Sequence, residues 1–160
     1  MIDMTNPPIA SSSPKLPADI ESAKKELSKL PLLGPVAWLF ARDPARRYTF
    51  FADLDWRLLP PLVLDQCKLY NKAEVPWAFV SWARVGASVD ARLRSTTPLI
   101  APHEWRSGQH LWLIDVVSPF SAAQDMARSA LQEIAPGEEA SVWLPDASGQ
   151  SQLQALRGNG

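Results

Sequence analysis

The chain has 160 residues, 46% of them hydrophobic, which is enough for one domain with a buried core. Its 16 basic and 17 acidic side chains leave a net charge of -1, which argues against a general nucleic-acid binder. Cys67 is the sole cysteine, so an internal disulfide and a thiolate metal cluster are both excluded.

No secretory signal is visible, and no apolar run reaches the ~18 residues of a membrane-spanning helix, so a cytoplasmic protein without a membrane span is expected. Residues 1–17 read as a flexible tail, with Asn6-Pro7-Pro8 and Ser11-Ser12-Ser13-Pro14 offering turn formers and little to bury. A single domain is expected over 18–156, with a frayed end at 157–160. Residues 18–30 carry helical spacing, with Asp19 as cap, Ile20, Ala23, Leu27 and Leu30 on one face, and Pro31 as stop. A second helix is expected from Pro35 to Arg42 and a third from Phe50 to Leu64, bent at Pro60-Pro61. Gln66–Asn71 and Val75–Val85 read as a hairpin, and residues 88–95 as a short helix. Gln109–Val117 is strand-like, and strict alternation puts Leu111, Leu113, Asp115 and Val117 on one face. Ser121–Ile134 is an amphipathic helix with Ala122, Met126, Ala130, Leu131 and Ile134 inward. Two short strands follow, Ala140–Leu144 and Gln150–Leu156. This order implies an α+β or α/β sandwich, one sheet with helices packed on it.

Three groups of residues could carry chemistry. Asp115 lies inside the apolar run Trp112-Leu113-Ile114-Asp115-Val116-Val117. A carboxylate there is expensive to bury unless it is hydrogen-bonded or functional, and the sequence leaves both open. Arg42, Asp43, Arg46 and Arg47 follow a helix, either as a solvated helix end or as an anion site. His103 and His110 are the only histidines, too few and too poorly spaced for zinc, so no metal is expected. On a regular strand His110 would face away from Asp115. The seven tryptophans read chiefly as core.

Several blocks together carry a resemblance. Leu33-Gly34-Pro35-Val36-Ala37-Trp38-Leu39-Phe40 is followed by Asp43-Pro44-Ala45-Arg46-Arg47. Pro76-Trp77-Ala78-Phe79-Val80-Ser81-Trp82-Ala83, Trp105-Arg106-Ser107-Gly108, Trp112-Leu113-Ile114-Asp115 and Pro119-Phe120 then come in order. The set resembles the RTX toxin-activating lysine acyltransferases. That resemblance implies a GNAT-like fold, one central mostly antiparallel sheet flanked by helices. It implies a fatty acyl donor loaded on acyl carrier protein, no bound cofactor, and an internal lysine of a protein or peptide, such as an RTX protoxin, as acceptor. It also implies a homodimer or a heterodimer. The family's catalytic aspartate matches Asp115, and its histidine position is held by Arg46. Arg42 and Arg47 would then serve donor binding. An arginine cannot take a proton as a histidine does, so the resemblance leaves a second outcome, a catalytically silent homologue that binds a partner or carrier.

Overall fold

The computed structural model describes residues 20–95 and 99–158; the tail expected over 1–17 and the Asp19 cap lie outside the described residues. Five strands form one sheet in sequence order: β1 (Cys67–Lys72), β2 (Val75–Val85), β3 (His110–Val117), β4 (Glu139–Pro145) and β5 (Ser151–Arg157). Every neighbouring pair is antiparallel except β3 and β4, which run parallel. Helix α4 (Ala123–Ile134) makes the crossover between those two, as parallel neighbours require. With α1 (Ile20–Phe40), α2 (Leu59–Val63) and α3 (Ala87–Ser95), the molecule is the α+β arrangement expected.

Two expectations about helices are corrected. Helix α1 runs unbroken from Ile20 to Phe40 with Pro31 and Pro35 inside it, where two separate helices were expected. An interior proline removes one backbone hydrogen bond and costs about 3 kcal/mol. Burial offsets part of that, because Val36, Leu39 and Phe40 pack with Leu58, Phe79 and Val117 in one cluster. The 50–64 stretch is helical but changes pitch: a 3-10 turn at Phe51–Asp53, a π turn at Leu54–Leu58, then α2. Pro60 and Pro61 follow the junction between the π turn and α2. They sit in the first turn of α2, where the missing N–H groups would lack helical partners anyway.

The β1–β2 hairpin closes on Ala73 and Glu74, both with positive φ (48° and 64°), between paired Lys72 and Val75. β3 is buried along Leu111–Val117, yet its side chains do not alternate as expected. The β2 register jumps from Ser81–Asp115 to Trp82–Leu113, leaving Ile114 as an extra residue in β3. This β-bulge turns the strand beyond it. Leu111, Leu113 and Val116 pack toward α4, whereas Trp112 and Ile114 join the cluster beside α3 and Val117 joins the α1 cluster. In α4, Ala127, Ala130 and Leu131 are buried and Met126 and Ile134 pack against that core; Ala122 is exposed at the cap instead. Trp105 and Trp112 are fully buried, as core tryptophans should be. At the C-terminus Arg157 ends β5 and Gly158 is buried, so neither frays.

The loop before β3 is tied to β2 by close backbone contact. Gln66 Nε2 donates to the carbonyls of Trp82 and Trp105 (3.0 and 3.1 Å), and the Gly108 N–H donates to the Arg84 carbonyl (3.1 Å). A Cβ on Gly108 would fall 2.5 Å from Gly86 Cα and from the Val85 carbonyl oxygen. Gly108→Ala is therefore expected to destabilise by about 1–3 kcal/mol, seen as a Tm lower by several degrees in a calorimetric scan. Replacing Ala73-Glu74 with Asn-Gly, which accept positive φ at both turn positions, should raise Tm without moving the hairpin.

Candidate active site: a buried carboxylate between two guanidiniums

Asp115 is fully buried on β3, immediately after the bulge. Its main-chain N–H donates to Ser81 Oγ across the strand pair (3.2 Å). Its carboxylate accepts three hydrogen bonds. Arg46 Nε reaches Oδ1 at 2.7 Å, while Arg57 grips both oxygens, Nε to Oδ2 at 2.8 Å and Nη2 to Oδ1 at 2.6 Å. Charge-assisted, two-pronged bonds of this kind are the strongest side-chain hydrogen bonds available to proteins.

Each arginine is delivered by its own local device. After α1, Asp43 folds the chain into a turn: its Oδ1 accepts the Ala45 N–H (2.9 Å), and its carbonyl accepts the N–H groups of Arg46 and Arg47 (3.1 and 2.9 Å). Thr49 Oγ1 donates to the Arg46 carbonyl (2.7 Å) and holds that corner. Arg57 comes from the π turn, with Trp56 and Phe40 beside its guanidinium (5.3 and 5.9 Å to the ring centres). Widened helical turns of this type often re-aim a side chain at a functional site.

The electrostatics follow from the count of charges, two cations around one anion. Burial pushes the Asp115 pKa up, but the coulombic pull of Arg57 and Arg46, with their hydrogen bonds, outweighs it and holds the carboxyl below its ordinary value. The Arg57 guanidinium is raised, since Asp115 overcomes the opposing effect of burial. Asp115 is thus a permanent anion and a poor proton acceptor at neutral pH, and the cluster carries a net positive charge.

The other candidates fall elsewhere. Arg42 stacks on Trp38 (3.6 Å) and donates to its carbonyl (3.0 Å), and Arg47 lies near Tyr48 (5.5 Å). Neither is a hydrogen-bond partner of Asp115. His103 and His110 are exposed and make no hydrogen bond to Asp115. Cys67 is half-buried in β1, and burial pushes its thiol up to about 11, so no thiolate nucleophile is available there. Among the described residues no group of three or more His, Cys, Asp or Glu side chains could hold a metal ion. Arg57 was missed from the sequence. Its only signal was a lone basic charge in the apolar run Leu54-Asp55-Trp56-Arg57-Leu58.

Arg46 also borders two hollows. A small one, about 100 Å³, lies beside Val116, Trp143 and Leu144, where β3 and β4 part after only two paired positions, Trp112–Ser141 and Leu113–Val142. A larger groove of about 580 Å³ runs between α1 and the 46–58 segment.

The profile of the HlyC, RTX toxin acyltransferase family matches residues 25–156. Leukotoxin-activating lysine-acyltransferase LktC of Pasteurella haemolytica-like sp. (strain 5943B) is 31% identical over 93 residues, 58% of this chain and 56% of LktC. Protein-lysine palmitoyltransferase CyaC of Bordetella bronchiseptica is 33% identical over 105 residues, 65% of this chain and 57% of CyaC. Protein-lysine myristoyltransferase HlyC of Escherichia coli is 33% identical over 92 residues, 57% of this chain and 54% of HlyC. The chain spans little more than half the length of these relatives. The matched region holds the bulged strand, both arginines and the glycine-locked loop, and on that breadth of agreement the chain belongs to the RTX toxin acyltransferase family.

Proposed function

We propose that the chain is a protein-lysine acyltransferase that moves a fatty acyl group from acyl carrier protein to an internal lysine of an RTX protoxin. The observation that carries this reading is the Arg46–Asp115–Arg57 cluster on the strand where the family's block falls. The relatives' names supply the reaction class, transfer of an acyl group to lysine.

In this reaction the neutral lysine Nζ attacks the thioester carbonyl carbon. The carbonyl oxygen becomes an oxyanion, the C–S bond breaks, and the carrier's thiolate takes up the proton that the amine releases. Arg46 and Arg57 suit the two charged demands of that path. Their N–H groups not used by Asp115 stabilise the oxyanion. Their positive charge also disfavours the ammonium form of an incoming lysine and so lowers its pKa, as a neighbouring cation does for other lysines. Asp115 is then a positioning residue: it aims the two guanidiniums and is not the base. The arginine at the histidine position changes how the amine is made neutral, and does not by itself abolish transfer. Arg42 and Arg47, both exposed, fit the acidic surface of a carrier protein.

Purified chain, acyl-loaded carrier protein and an RTX protoxin are mixed, and lysine is examined by mass spectrometry. One acyl mass should appear on lysine with the parent chain and be lost in Asp115→Asn, with circular dichroism confirming that the variant folds. Carrier binding without any acyl gain by the parent would overturn the proposal in favour of the silent, partner-binding homologue.

The pH dependence is the second test. Asp115, held below its ordinary value, stays ionised between pH 6 and 8, and Arg57, raised by it, stays protonated, so neither serves as a titrating base there. The log of the transfer rate should therefore climb with a slope near one toward the amine pKa, which is ~10.4 for an unperturbed lysine. Arg46→His should add an inflection at or above ~6.5, since the adjacent carboxylate favours the imidazolium. A parent profile that already bends near 6.5 would mean that an imidazole serves as base after all.

A further inference from the structure

The groove of about 580 Å³ between α1 and the 46–58 segment lies within the ~300–1,000 Å³ range of small-molecule sites. Its lining includes the small residues Gly34 and Ala37 of α1 and Ala41 just beyond it, spaced three and four residues apart as on one helix face. A Cβ built on Gly34 meets nothing within 4 Å, so the space above it is open. Phe50 and Phe51 form its rim and are 75% and 88% exposed, an unusual exposure for two adjacent phenyl rings. Its polar groups, Arg46, Arg47 and Thr49, belong to one short stretch of the wall, and Arg46 is the residue that also touches Asp115. The groove thus combines a mainly apolar lining with Arg46, a member of the candidate reaction centre.

We propose that this groove holds the fatty acyl chain of the donor, its carbonyl end toward Arg46, and that Gly34 and Ala37 set the chain length accepted. The inference rests on the acyltransferase reading and specifies where its substrate lies. Charge complementarity selects the occupant. The Arg46 and Arg47 guanidiniums suit the polar, anionic end of an acyl group, whether the carboxylate of a free fatty acid or the phosphodiester arm of a carrier. At roughly 30 Å³ per methylene, close to the volume of one water in the liquid, the groove accommodates more than a dozen carbons. The aromatic rim would cover the outer side of such a chain.

The test reads binding directly, apart from transfer. Displacement of cis-parinaric acid from the full chain is measured with saturated fatty acids of increasing length. Affinity should rise about tenfold for every two carbons added, on the basis of ~0.8 kcal/mol per buried methylene, and then level off. Gly34→Leu and Ala37→Phe should bring the plateau several carbons earlier. Unfolding does not confuse the result at position 34, because leucine favours a helix more than glycine does. The same two variants are then assayed for transfer with donors of different length. Parent-like plateaus in both variants would overturn the proposal, as would a dimer that dissociates in Gly34→Leu without any binding of fatty acid, since a second copy would then occupy the groove. Binding with the expected length dependence, but no transfer, would retain the acyl groove and refute the enzyme. Transfer with an unaltered length profile in the variants would retain the enzyme and refute the groove.

Discussion

A carboxylate with no solvent exposure has to be neutralised where it stands, and the shape of this protein around Asp115 answers that demand. Removing an ion from water costs several kcal/mol even after relaxation, and breaking a buried pair typically destabilises by about 3–5 kcal/mol. Two separate chain segments therefore converge on β3, the turn after α1 and the π turn before α2, each to deliver one guanidinium. The 36–40 end of α1 and Leu58 are packed into the same cluster with Phe79 and Val117, so apolar packing and ion pairing fix the same geometry. The positive excess at the centre follows from that geometry and gives the cluster its chemistry.

This arrangement also separates two roles that a histidine–aspartate pair combines. An imidazole both carries charge and exchanges a proton near neutrality, whereas a guanidinium carries charge only. Under the proposed reaction the proton balance falls to the substrate amine, and the protein contributes a fixed field. Such a site is insensitive to mild changes of acidity on its own side, because none of its members changes protonation there.

The sequence made much of this legible where a pattern was local. The hairpin, the 123–134 helix and the last two strands follow from alternation and helical spacing, and Asp115 stood out because a lone acid interrupts an apolar strand. Three features were hidden, each for a physical reason. Helix α1 continues past two prolines because the burial of Val36, Leu39 and Phe40 is a tertiary effect that a local stop signal does not contain. Arg57 looked like an ordinary basic residue, since its meaning depends on a partner 58 positions away. The bulge at Ile114 depends on the pairing with β2, and no property of Ile114 itself announces it. Family resemblance filled part of that gap for Asp115 and Arg46, and gave nothing for Arg57.

One residue beyond Ile114, side chains change face, so the position of Asp115 is set by the number of residues in β3 as much as by their identity. Pairing the same residues without the bulge would restore plain alternation, put Asp115 on the Leu113 side toward α4, and carry the carboxylate away from Arg46 and Arg57. A one-residue slip of the β2–β3 pairing would therefore dissolve the cluster with every one of its side chains still present.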